Sequence, residues 1–240
     1  MKIKSSKEAQ FLQRKAYNAL FSKGTPYHNL VHNLIYQKTL VLIKKYLNPS
    51  SRVLDVGCGD GRIVRQISPF CREVIGLDLS EVAIKKAKEK NKENNVCYLL
   101  SSFEEFKSES KFDVVLMINF IEHVFDISAV ISKVSKLLNR GGFLIITSRN
   151  KEALTWKMAR LFKREIVIEA GYKTPICEYS FEDIKKLLLK HGFIIKERKA
   201  AILGPIEFSQ KIPFLTKLIF SFGELFPRMA NYMFISAIKK

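Results

Sequence analysis

Three groups of residues in the chain have the types and spacing to do chemistry. The first is Asp55-Val-Gly57-Cys58-Gly59-Asp60-Gly61, where glycines at alternate positions permit positive φ and bring bare backbone against a ligand. The second is Asp78, which closes the apolar run Val74-Ile75-Gly76-Leu77. It stands about 20 residues after the glycines, where a carboxylate can accept both ribose hydroxyls of an adenosine. Asp78 could instead cap the next helix, but Ser80 already suits that role. The third is Glu122-His123. An imidazole of intrinsic pKa near 6.5 can take a proton from a nucleophile, and the adjacent carboxylate can orient it. A purely supporting role, with both residues capping the following loop, carries equal weight.

The elements that must hold these residues follow from periodicity. Arg52 to Val56 is β-branched and apolar apart from Asp55, so it reads as a buried strand. Ile63, Val64 and Ile67 follow at helical spacing. A strand, a glycine turn and a helix form the ligand-binding half of an open α/β unit. A dinucleotide fingerprint is excluded, because counting from Gly57 puts Arg62 where its third glycine belongs. The observed D-x-G-x-G-x-G resembles the first motif of class I S-adenosyl-L-methionine (SAM) methyltransferases at every fixed position. In that family the turn passes the methionine part of SAM, the strand acid organises the turn, and the position of Asp78 binds ribose. A glycine turn without a ligand is the plainer alternative.

The resemblance continues along the chain. Val96 to Leu100 reads as a third strand. The next position where the family places an acid against the adenine amino group is here Ser102, whose hydroxyl can accept that bond without charge. Phe112-Asp-Val-Val begins a fourth strand like the family's second block, and Phe120-Ile-Glu122-His123 resembles the E-H-x stretch of small-molecule and ubiquinone-type members. Leu137-Leu138-Asn-Arg-Gly141-Gly142-Phe-Leu-Ile-Ile resembles its third block, with a fifth strand over 143–147. The resemblance implies cofactor contacts from Asp55, Gly57, Cys58, Gly59 and Gly61 in the turn, Asp78 and Leu79 after the second strand, Ser102 and Phe103 at the adenine, and Asn119 after the fourth strand. It implies a catalytic role for His123 and Glu122, the latter as orienter or divalent-metal ligand. No set of metal ligands is read from the residues themselves. An [N/D]-P-P-[Y/F/W] stretch is absent after the fourth strand, which disfavours methylation of base amino groups. No cysteine stands there to serve a pyrimidine C5 enzyme.

The flanking segments are less uniform. Residues 7–21 and 29–47 read as two helices separated by Gly24-Thr25-Pro26, from which Tyr27, His28, His32 and Tyr36 could face an acceptor. Residues 81–94 read as a lysine-rich helix capped by Ser80, and Asp126 caps another with an apolar stripe from Ile127 to Leu138. Residues 151–164 look helical and basic, Ser180-Phe-Glu-Asp183 resembles a capping box, Gly192 stops its helix, and 193–196 is a sixth strand. Residues 232–238 form a last strand, which the family inserts antiparallel between the fifth and sixth. Leu215, Leu218, Ile219, Phe222, Leu225 and Phe226 form one apolar stripe after Pro213. It reads first as core, and second as the lining of a greasy acceptor pocket or a membrane contact.

Composition bounds the rest. With 240 residues, 47% of them hydrophobic, the chain can bury one good core. The expected fold is α/β: a Rossmann-like seven-stranded mostly parallel sheet with helices on both faces. A helical cap over 1–50 precedes a methyltransferase domain over 51–240, with lid or substrate insertions at 151–180 and 201–231, and the last strand is antiparallel. Four cysteines without a C-x-x-C pair read as reduced intracellular thiols, and no apolar run has the length of a signal peptide or membrane span, so the expected place is the cytoplasm. The formal charge of +18 permits an anionic membrane surface or nucleic acid as partner. The expected function is SAM-dependent methylation of a small-molecule or lipid-like acceptor at O, C or N. An RNA methyltransferase ranks behind it because the basic residues are dispersed, and a SAM-binding protein without turnover is the third reading. Oligomeric state is left open.

Overall fold

The computed structural model describes residues 5–24, 30–161, 177–202 and 213–240. Two helices, α1 (Ser6–Ser22) and α2 (Leu30–Lys44), precede an alternating series: β1 (Arg52–Val56), α3 (Arg62–Ile67), β2 (Glu73–Asp78), α4 (Glu81–Lys90), β3 (Val96–Leu100), β4 (Phe112–Ile118), α5 (Ile127–Leu137) and β5 (Leu138–Arg149). Then come α6 (Leu154–Leu161), α7 (Phe181–Lys190), β6 (Phe193–Ala201), α8 (Pro213–Leu225) and β7 (Tyr232–Lys239). The seven strands form one sheet of order β3-β2-β1-β4-β5-β7-β6. β1 to β5 pair in parallel, and β7 runs antiparallel to both β5 and β6. This is the expected α/β sheet with its antiparallel final strand.

The sheet divides the core into two layers. Val130, Ile131 and Val134 of α5 and Ile184 and Leu188 of α7 pack on one face with Phe103 and Phe106. Ile35 and Ile43 of α2, Val64 and Ile67 of α3 and Ile84 of α4 pack on the other. Strands β1 and β4 are buried on both faces, which is why they read as continuous apolar runs rather than alternating ones.

Local chemistry sets the element ends. Ser80 Oγ accepts from the Ala83 N–H at 3.1 Å and Asp126 Oδ1 from that of Ala129 at 2.9 Å, each capping its helix as expected. Ser180 and Asp183 form the reciprocal capping box. The second helix stops at Lys44, short of 47. Helix α4 stops at Lys90 rather than continuing to 94, because Asn91 is extended and its Oδ1 accepts from the Glu93 N–H at 2.9 Å, a local bond that competes with the helix. Strand β6 runs to Ala201, five residues beyond the expected end, because β7 pairs with it along its whole length. Its Lys196-Glu-Arg-Lys199 run looked unlike a strand because β6 is the edge of the sheet, where charged residues are favoured. The expected basic helix over 151–164 is described only as α6, and its remainder lies outside the described residues.

Helix α8 corrects the single-stripe reading. Its buried side is built from Thr216, Ile219, Phe220 and Gly223, whereas Leu218, Phe222, Leu225 and Phe226 are exposed. The reason is Gly223: a Cβ there would come within 2.6 Å of the Ala201 Cα and meet the Ile202 backbone, so the helix seats by its glycine on the end of β6. Ile202 itself holds φ 67°, a rare state for a β-branched residue, fixed by its N–H to Phe220 O and by its carbonyl accepting from the Asn231 N–H at 2.8 Å. Gly223→Ala is therefore expected to cost about 3 kcal/mol or more, since the obstruction is backbone that cannot step aside. The urea unfolding midpoint measures it, and an unchanged midpoint would remove this seating.

Candidate active site

The strand order reverses between β1 and β4, where α3 and α5 depart to opposite faces, and ligands of open α/β sheets bind outside the carboxyl ends of strands at that point. The glycine turn lies there. Gly57, Gly59 and Gly61 hold φ of 77°, 55° and 72°, the left-handed region that glycine enters without cost. The N–H groups of Gly57 and Cys58 both donate to Leu77 O at 2.8 Å, and that of Gly61 to Cys58 O at 3.0 Å. Across from Gly57, Asn119 leaves β4 at φ 51° with its N–H donating to Thr147 O at 2.9 Å. Both residues are exposed.

Asp78 ties the turn to the next helix. Its Oδ2 accepts from the Gly59 N–H and its Oδ1 from the Ser80 N–H, each at 2.8 Å. Each oxygen keeps lone-pair capacity for a ligand hydroxyl. Burial raises its pKa, and the N–H groups of Ser80, Gly59 and Leu79 oppose that rise. Leu79 is half-buried between these two tied residues. Cys58 presents no side chain to the crevice: its buried Sγ covers Gly76, where a Cβ would come within 2.9 Å of it. Burial pushes the thiol well above its usual range, so it is a neutral packing group.

Asp55 is buried beneath the turn. Burial and the neighbouring Asp78 charge push its carboxyl up to about 7. The unfolded chain releases this proton from about pH 4 upward, while the folded chain keeps it until about 7. The native state therefore loses stability as pH rises through that window, by up to about 4 kcal/mol, and no further above it. Asp55→Asn is expected to flatten that part of the stability profile, as read from urea midpoints at pH 5 and 7.5. Parallel profiles in the two proteins would contradict the assignment.

Two rings cover the turn. A Cβ on Gly57 would lie 2.9 Å from the Phe120 ring, and one on Gly59 would lie 3.0 Å from the Phe21 ring. Phe21 comes from α1, which is fixed by polar contacts: Asn18 Oδ1 accepts from Ser80 Oγ at 2.7 Å, Lys86 Nζ donates to Phe21 O, and Gln13 Nε2 donates to His123 O. Ser102 Oγ accepts from the Glu105 N–H at 3.1 Å, which uses one of its two lone pairs. Phe103 is core, edge-on to Phe120 at 6.4 Å between centroids.

Glu122 and His123 end up apart in role. The Glu122 carboxylate is buried and turned to β5, where it accepts from Ser148 Oγ at 3.0 Å and from the Arg149 N–H. It does not orient His123 through Nδ1, because that nitrogen is buried with no hydrogen-bond partner. Burial and the Arg149 charge lower the His123 pKa to about 4, well below the intrinsic value used above. The Tyr17 ring meets the imidazole edge-on at 5.7 Å. Among the described residues no group of three or more His, Cys, Asp and Glu could hold a metal. Tyr36 supports α3: its hydroxyl donates to Arg62 O at 3.2 Å and the Arg62 guanidinium stacks on its ring. Tyr27 and His28 lie outside the described residues.

Sequence reasoning missed Gln13, Tyr17, Phe21 and Arg149. The first three recur every four residues, one face of α1 that is polar and aromatic rather than aliphatic, and that stripe was the available signal. The residues at the turn fit a nucleoside carrying an amino-acid tail: a bare glycine backbone at Gly57 and Gly59 stands beside an acid, Asp78, with spare lone pairs.

Comparison with known proteins agrees. Residues 47–180 match the family model described as "Methyltransferase domain". The chain is 37% identical over 113 residues to the ubiquinone biosynthesis O-methyltransferase of Pelagibacter ubique, covering 45% of this chain and 46% of that protein. It is 24% identical over 165 residues to that of Bradyrhizobium sp. (strain ORS 278), covering 64% of this chain and 62% of that one. The chain thus spans about half to three fifths of the curated relatives it matches. Among solved structures, magnesium protoporphyrin IX methyltransferase from Synechocystis PCC 6803 with bound SAH superposes with a TM-score of 0.66 at 18% identity, over 97% of this chain and 100% of that one. That likeness is one of fold.

Proposed function

Since the chain belongs to the methyltransferase-domain family, we propose that it transfers a methyl group from S-adenosylmethionine to a small, lipid-like acceptor, with oxygen as the receiving atom. The observation that carries this reading is the glycine turn at the β1/β4 switch point with Asp78 bonded into it. The likeness to ubiquinone biosynthesis O-methyltransferases supports the acceptor class. Peripheral contact with an anionic membrane belongs to the same reading. No helix of the described residues is long and apolar enough to cross a membrane.

S-adenosylmethionine, when bound, supplies a methyl group on a sulfonium, so the reaction is an in-line displacement. Asp78 would hold the ribose hydroxyls, the backbone of Gly57 and Gly59 would border the methionine part, and Ser102 would lie at the adenine, whereas Phe103, expected there too, is packed into the core. Phe120 and Phe21 border the turn at Gly57 and Gly59 and would flank the methionine part. Holding the acceptor in line supplies much of the acceleration, on the order of 7 to 11 kcal/mol at the upper end. His123, neutral above about pH 4, would take the hydroxyl proton of an acceptor at Nδ1, which is buried and unpartnered in the free protein. Arg149, Glu122 and Tyr17 are titratable groups around it; burial is the larger cause of its lowered pKa, and the Arg149 charge adds to it.

His123→Asn is therefore expected to lower kcat by about 10²–10⁴-fold with SAM affinity unchanged. The acid limb of the wild-type rate should fall near pH 4, because protonation of the imidazole below its lowered pKa removes the base. A limb centred on 6.5, or an unaltered kcat in the variant, would end the base assignment. The functional reading itself is tested by titration calorimetry. One SAM should bind per chain while NAD gives no heat, and the reverse pattern would overturn it.

A further inference from the structure

Helix α8 turns one face to the protein and leaves the other bare. Outward stand Phe214 at 76% exposed, Leu218 at 42%, Phe222 at 39% and Leu225 at 69%, spaced four, four and three residues apart, with exposed Phe226 following. Single exposed apolar residues are ordinary, but a continuous phenylalanine and leucine face on one helix marks an interaction site. Helix α8 adjoins α2, on which Val41 is also exposed.

Charge identifies what meets it. Exposed Lys217 and Arg228 flank the stripe, while Glu224, the one acid of this helix, is already held by Lys38. The chain as a whole carries +18. An apolar helix face with basic flanks on a strongly cationic protein matches the chemistry of an anionic lipid surface, in which apolar groups enter the acyl boundary and cations meet headgroups. Nucleic acid would use the charges and leave the apolar stripe in water. A second copy of the chain would bring like charges together along the rim.

We propose that the outward face of α8 is the surface on which this protein rests on anionic membranes. The geometry gives the contact a purpose: β6 runs parallel to β1, so α8, seated on the carboxyl end of β6, lies at the same end of the sheet as the glycine turn. Docking there brings the open end of the crevice toward the phase in which a lipid-like acceptor is dissolved. That purpose rests on the acceptor class proposed above, whereas the docking surface itself does not.

The test is cosedimentation of the full chain with vesicles at low salt, comparing equal parts phosphatidylcholine and phosphatidylglycerol with phosphatidylcholine alone. Wild type should bind the anionic vesicles at least tenfold more tightly than the neutral ones. Phe214→Ser with Leu225→Ser should lose tenfold or more of that affinity while keeping the wild-type circular dichroism and SAM affinity, since both side chains are largely in water. Lys217→Glu with Arg228→Glu should remove the preference for the anionic lipid. Failure of wild type to cosediment, or equal binding by the serine variant, would overturn the proposal. So would a dimer in sedimentation velocity that the serine substitutions dissociate, which would give the face to a second copy. Vesicle binding without methylation of any lipid-like acceptor would leave the docking surface standing and defeat the acceptor class.

Discussion

Asp78→Ala is expected to weaken SAM binding by about two to four orders of magnitude. The carboxylate would accept two ribose hydroxyls, and charge-assisted bonds are worth roughly 1.5 to 3 kcal/mol each, or about tenfold to a hundredfold apiece. The same substitution frees the N–H groups of Gly59 and Ser80, both now bonded to that carboxylate at 2.8 Å. The turn therefore loses its tie to α4 as well as its ligand contact. Asp78→Asn separates the two contributions: its amide oxygen keeps one of the turn bonds, so it should bind SAM better than the alanine variant and worse than wild type. Calorimetry reads both, with circular dichroism confirming the fold. Unchanged affinity in a folded Asp78→Ala protein would remove Asp78 from the cofactor site.

Gly59→Val is expected to abolish SAM binding altogether. Gly59 holds φ 55°, where a β-branched residue is strained by about 1–3 kcal/mol. Its Cβ would already approach the Phe21 ring at 3.0 Å, and the two further methyl groups of valine would occupy the face along which a ligand meets the turn. Gly61→Val serves as a contrast. There the added Cβ would strike the Tyr98 ring beneath the turn, 2.8 Å from its Cζ, so the expected loss is of folding stability as much as of binding. A Gly59→Val protein that still takes up SAM would mean that the cofactor does not lie over this turn.

Much of this arrangement was legible before the coordinates. Buried parallel strands betray themselves as uninterrupted apolar runs, and glycines at alternate positions after one of them have few other uses, so β1, β2, β4 and the turn could be placed by inspection. The caps at Ser80, Asp126 and Ser180 were equally readable, because each offers a short polar side chain just before a periodic apolar run. What failed was long-range or two-sided. Nothing local says that Lys196 to Lys199 continues a strand, because the reason is a partner strand some 35 residues later in sequence. Nor does periodicity say which half of the α8 stripe is buried, since that is decided by Gly223 meeting a backbone of β6.

The site shows the same division. The glycine turn and Asp78 rest on local spacing and stand bonded together as expected, whereas the surroundings of His123 are assembled from α1, the end of β4 and the end of β5. His123 was identified by residue type, but its surroundings were not. Its low pKa comes from burial and from Arg149, 26 positions away. Glu122, adjacent in sequence, points elsewhere, toward Ser148. Proximity along the chain suggested a working pair that the fold does not make.

The most direct measurement is transfer of label from S-[methyl-¹⁴C]adenosylmethionine to a polyprenylated, hydroxyl-bearing acceptor presented in phosphatidylglycerol-containing vesicles. The expected result is one labelled methyl on an acceptor oxygen per S-adenosylhomocysteine released, absent with the Asp78→Ala protein. Label retained wholly in SAM, across catechol, phenol and amine acceptors and with the protein shown to be folded, would contradict the assignment of this chain as a methyltransferase of lipid-like acceptors.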